Sequence, residues 1–81
     1  MKIKLLFFAS CRNIIGDKEL IWDISENVTV GDVKKKLALQ YPGLIAMEKT
    51  LSIAVNAEYV DDSIVLFNED EIAFIPPVSG G

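Results

Sequence analysis

The patterning of this chain predicts an α+β fold of the β-grasp kind, in which one mixed sheet packs on one main helix. Three observations carry that expectation. Two alternating apolar segments open the chain, a single capped helical repeat follows, and the later alternating segments leave no room for a second full helix. A ferredoxin-like β-α-β-β-α-β order would need that second helix, and Leu44 to Lys49 comes too early and is too short to supply it. With no internal repeat, linker or low-complexity tract, residues 1–81 read as one domain, with 73–81 as the end of the last strand and a tail.

The first strand is expected over residues 2–9, where Ile3, Leu5 and Phe7 alternate with Lys2, Lys4, Leu6 and Phe8. Cys11 to Asp17 reads as turn residues, and Lys18 to Ile24 as the second strand of a hairpin, with Leu20, Trp22 and Ile24 on one face. Thr29-Val-Gly-Asp32 is a helix start, because the Thr hydroxyl can accept from the Asp32 amide while the Asp carboxylate reaches back. Val30, Val33, Leu37 and Tyr41 follow at helical spacing, leaving Lys34 to Lys36 in water, and Pro42 ends the helix near Gln40. Leu44 to Lys49 is read as a short helical turn, Leu51 to Asn56 as a half-buried strand, Glu58 to Val60 as a brief one and Glu71 to Ile75 as the last, stopped by Pro76 and Pro77.

Composition removes most catalytic chemistries. Of 81 residues, 51% are hydrophobic and 25% charged, a balance that folds. There is no His and one Cys, so a His-ligated metal, a His general base, a four-Cys cluster and an internal disulfide are excluded by counting. The net charge of −4 opposes nucleic-acid binding. Every basic residue lies at or before Lys49, whereas Glu58, Asp61, Asp62, Glu69, Asp70 and Glu71 follow it, so this acidic region is expected to steer toward a basic partner. No apolar run approaches a membrane span, residues 2–9 are too short for a signal peptide, and a lone Cys fits a reducing, cytoplasmic setting.

From Ile72 to Gly81 there is no charged side chain; Pro76 and Pro77 hold the exit extended, and Val78, Ser79, Gly80 and Gly81 complete a narrow tail. A Gly-Gly end can thread a slot that would refuse a Cβ. The reactive group is then the Gly81 carboxylate itself. On the open face of the sheet, Phe8, Leu6, Ala73 and Ile75 are expected to cluster as a partner-binding patch, extended by Tyr59.

These segments together resemble a known family. Leu5-Leu-Phe-Phe-Ala9 with Arg12, Thr29-Val-Gly-Asp-Val33, Tyr41-Pro-Gly43, Ala54-Val-Asn56, Asp70-Glu-Ile-Ala-Phe74 and above all Ile75-Pro-Pro-Val-Ser-Gly-Gly81 are similar to the small, ubiquitin-like sulfur carrier subunits of molybdopterin synthases. The resemblance covers essentially the whole chain. It implies that a ubiquitin-activating-like adenylyltransferase and sulfurtransferase consumes ATP to adenylate Gly81 and converts it to a thiocarboxylate. It further implies that the tail enters a large subunit, in an assembly of two small and two large chains, where sulfur passes to cyclic pyranopterin monophosphate. Catalytic side chains would then belong to the partner, and the carrier would hold no permanent cofactor or metal.

The alternatives are a carrier for thiamine or tRNA thiolation, a ubiquitin-like modifier joined through Gly81 to lysines, and a β-grasp module that only binds. Cys11 is read as a small loop residue, Trp22 as core, and Glu69 to Glu71 as solvated carboxylates rather than a cation site. Arg12 has no assigned mechanism.

Overall fold

The computed structural model describes residues 1–77. They run β1 (Lys2–Phe7), α1 (Ala9–Ile15), β2 (Glu19–Asp23), α2 (Val30–Gln40), a 3-10 segment (Pro42–Met47), β3 (Ser52–Val55), β4 (Glu58–Val60) and β5 (Glu71–Ile75). The five strands form one sheet in the order β2-β1-β5-β3-β4. β1 and β5 pair in parallel and the other neighbours antiparallel, so the last strand lies at the centre of the sheet. Alternation decides which face is dry. Ile3, Leu5 and Phe7 of β1 and Ile72 and Phe74 of β5 are each at most 1% exposed, and the Phe7 and Phe74 rings stack with centroids 5.3 Å apart.

α2 closes that face through Val30, Val33 and Leu37, and it begins where the sequence expects. Thr29 Oγ1 accepts from the Asp32 amide at 3.2 Å while Asp32 Oδ2 accepts from the Thr29 amide at 3.0 Å, a reciprocal capping box. Thr29→Ala should lower stability by about 1 kcal/mol, read as a shifted urea midpoint at unchanged slope. The backbone and side-chain hydrogen bonds of Thr29 hold the Asp32 carboxyl below its ordinary pKa. A carboxylate depressed in the folded state stabilises above its unfolded pKa, and that contribution is lost as pH falls through the folded value. The gap between wild type and Asp32→Ala, which removes that carboxylate, should therefore narrow in acid. A gap unchanged at low pH would remove the capping box from the account.

The structure corrects several expectations. Residues 9–15 are a two-turn helix and not a hairpin turn, so β1 ends at Phe7 and Cys11 is helical. Seven residues cannot sustain a helix alone; α1 exists because Cys11 and Ile15, one turn apart, are both buried in the core, and because Gly16, at φ 87°, ends it with its amide on the Arg12 carbonyl. Trp22 is half-buried at the core's margin on the edge strand β2, with the Lys36 ammonium 5.2 Å above its ring. Lys34 is not in water. Its side chain is only 9% exposed and its ammonium reaches Asp62 at 3.2 Å.

Candidate functional site

The uncovered face of the sheet carries a shallow trough of about 300 Å³. Strand register builds it: Leu6 pairs with Ala73, Ala73 with Ala54, and Ala54 with Tyr59, so one row crosses four strands. The two alanines are the floor, Leu6 and Phe8 form one wall, and Tyr59 forms the other. Along β5, Glu71, Ala73 and Ile75 point into it at every second position, which aligns the trough with the strand that leads to Pro76.

The walls are apolar and wet. Phe8 is 42% exposed and Tyr59 73%. The Phe8 backbone is fixed from both sides, since its amide donates to the Phe74 carbonyl at 3.3 Å and its carbonyl accepts from the Cys11 amide at 3.0 Å. An aromatic held this firmly in water loses little freedom when a partner covers it. The patch expected from Phe8, Leu6, Ile75 and Tyr59 is therefore brought together, with Ala54 and Ala57 added to it. Pro76 is buried and Pro77 exposed, so the chain begins to leave the sheet between them. Val78, Ser79, Gly80 and Gly81 lie outside the described residues.

The remaining candidates separate into fixed and free. Cys11 is fully buried, with Sγ 3.7 Å from Met47 Sδ, and burial pushes its thiol pKa up, so it is a packing group and not an exposed loop thiol. Arg12 is exposed on α1, which packs against β1, β5 and the 3-10 segment. Asp70 is not simply solvated. Its carboxylate accepts from the Phe67 amide at 2.8 Å and from Asn56 Nδ2 at 2.9 Å, while Asn56 Oδ1 accepts from the Glu71 amide at 3.0 Å. Sequence reasoning missed Asn56 as the clamp that sets the start of β5. Its signal was the Val-Asn-Ala-Glu turn, where Asn56 and Ala57 both take positive φ, 50° and 71°. Among the described residues no helix is long and apolar enough to cross a membrane.

One mixed sheet on one main helix, with the last strand at the sheet's centre beside an open apolar trough, defines a ubiquitin-like β-grasp protein. The chain belongs to the ThiS family, whose model matches residues 5–81. A molybdopterin synthase sulfur carrier subunit of Arabidopsis thaliana is 35% identical over 81 residues, covering 100% of this chain and 84% of the relative. The crystal structure of SAMP1 from Haloferax volcanii superposes with a TM-score of 0.87 at 25% identity and covers 100% of both chains. The fold recurs, at TM-score 0.71 and 22% identity over 100% of each chain, in a protein-protein complex of subunits 1 and 2 of the molybdopterin-converting factor from Helicobacter pylori.

Proposed function

We propose that this chain is the sulfur carrier subunit of a molybdopterin synthase, donating sulfur from a thiocarboxylate at Gly81. The full-length likeness to the Arabidopsis thaliana sulfur carrier subunit carries the reading. The trough beside β5 supports it, because a protein that delivers its own terminus needs a grip for the receiver next to the exit. The division of labour follows from the residues: the chain has no His and its one thiol is buried, so the chemistry belongs to partners and the carrier supplies a substrate on a rigid handle.

An activating enzyme uses ATP to adenylate the Gly81 carboxylate, releasing pyrophosphate; hydrosulfide-level sulfur then attacks the carbonyl, AMP leaves, and the thiocarboxylate remains. A large subunit grips Leu6, Phe8, Tyr59 and Ile75 while Pro76, Pro77, Val78, Ser79 and Gly80 thread to the acceptor pterin. The Gly81 sulfur bonds to a pterin carbon as that carbon's bond to oxygen breaks and the oxygen leaves, and water then cleaves the acyl–sulfur bond, leaving the sulfur on the pterin and returning the Gly81 carboxylate. Thiocarboxylated protein, mixed with a competent large subunit and cyclic pyranopterin monophosphate, should yield molybdopterin and carboxylate-ended carrier. No product under those conditions would overturn the assignment.

The likeness to small archaeal modifier protein 3 of Haloferax volcanii, 29% identical over 92 residues and 100% of both chains, favours a second reading as a protein modifier. Isopeptide conjugates of Gly81 to lysines, trapped under denaturing conditions, would establish it.

A further inference from the structure

We infer that the loop between β4 and β5 carries a second protein-docking surface, at the end of the sheet away from the tail, for a partner that offers an apolar side chain flanked by lysine or arginine. The loop is stitched to the start of α2. Val30 and Gly31 amides donate to the Ile64 and Asp62 carbonyls, each at 2.9 Å, and the Leu66 amide donates to the Val28 carbonyl at 2.8 Å. Gly31 permits that approach, since a Cβ there would stand 3.2 Å from Asp62 Cβ. Leu66 turns into the core at 1% exposed, which throws its neighbours outward: Val65 is 39% exposed and Phe67 68%, with Ile64 beside them at 38%.

This apolar ridge is rigid, and Asp70 locks it further by accepting from the Phe67 amide. It separates two shallow grooves of about 360 and 390 Å³, and Val65 and Phe67 line both. The charged side chains along the grooves are Glu26, Glu58 and Asp70. Among the described residues the one cation lining them is the Met1 ammonium, which already donates to the Ile24 carbonyl at 2.9 Å. An apolar centre with an acidic rim complements an apolar centre with a basic rim, and it repels anionic lipid. The ridge precedes β5, whereas the tail follows it. Five residues of strand separate the ridge from the start of the tail at Pro76 by about 16 Å, so a protein seated on the ridge leaves Pro76 and Pro77 uncovered.

The test is a titration of the ¹⁵N-labelled full chain with two short synthetic peptides, one carrying leucine between lysines and the other leucine between glutamates. The lysine peptide should move the amides of residues 64–67, Glu26 and Glu58, with a Kd of order 1 mM, and the glutamate peptide should not. Phe67→Ser and, independently, Glu58→Lys should each weaken that binding about tenfold. Glu58→Lys keeps the test decisive if Phe67→Ser perturbs the loop. The inference is overturned by no ridge shifts at about 5 mM peptide, by equal response to both peptides, or by shifts confined to the trough. Ridge shifts driven by protein concentration alone, which would make a second copy the occupant, or by phosphatidylglycerol vesicles, would overturn it as well. None of these outcomes depends on whether Gly81 carries sulfur.

Discussion

Appending a single residue after Gly81 should abolish sulfur transfer while leaving the melting temperature unchanged. The added residue converts the Gly81 carboxylate to an amide and moves the free carboxylate outward by about 3.5 Å, carrying a Cβ into a path suited to glycine. A displacement of 1 Å at a reacting centre can cost about a hundredfold in rate, so the extended protein should show no adenylation above background in pyrophosphate-exchange assays. Deleting Gly81 should have the same effect, because Gly80 then presents its carboxylate one residue short. The core is indifferent to both changes, being built from residues that end at Phe74, with Pro76 buried behind it. An extended variant with full sulfur transfer would contradict the terminal-carboxylate mechanism.

The second large effect is expected at Phe8. Replacing it by Asp places an unpaired charge in the wall of the trough. Once a partner covers that wall, the carboxylate is desolvated with no cation among the neighbouring trough residues to meet it, which costs about 3 kcal/mol or more and raises Kd by two orders of magnitude or more. Monomer stability should move far less, since Phe8 is 42% exposed and its backbone hydrogen bonds do not use the side chain. Calorimetric titration against the large subunit reads the first quantity and urea denaturation the second. Equal binding by Phe8→Asp would move the interface off this face. Loss of folding would mean that Phe8 belongs to the core.

The strands, the main helix and the trough were legible in the sequence because each rests on a local signal. Period-two alternation placed Phe7 inward and Phe8 outward, and the Thr29 and Asp32 spacing announced the capping box that is observed. What was missed depends on contacts made after the chain has folded. α1 has only seven residues, and its Asn13, Gly16 and Asp17 read as a turn; Cys11, Ile14 and Ile15 at helical spacing, closed by Gly16, were the signal passed over. Lys34 looked like its neighbours Lys35 and Lys36, and its ion pair with Asp62, brought across by the loop before β5, exists only in the folded chain. Asp70 read as one of a run of carboxylates, while its partners are an amide three residues back and Asn56 on another turn. That Leu6, Phe8, Ala73 and Ile75 share the open face was legible because register follows from alternation, and a one-residue slip would have turned Leu6 and Ala73 into the core.

The proposed function stands on a thiocarboxylate at Gly81. The measurement that bears on it most directly is the intact mass of the untagged protein, isolated under non-reducing conditions from cells that are making molybdopterin. The expected result is a species heavier than the unmodified chain by the difference between one sulfur and one oxygen, localised by fragmentation to Gly81 and lost on incubation with the large subunit and its pterin substrate. A chain found only at its unmodified mass in such cells, or with the added sulfur on Cys11, would contradict it.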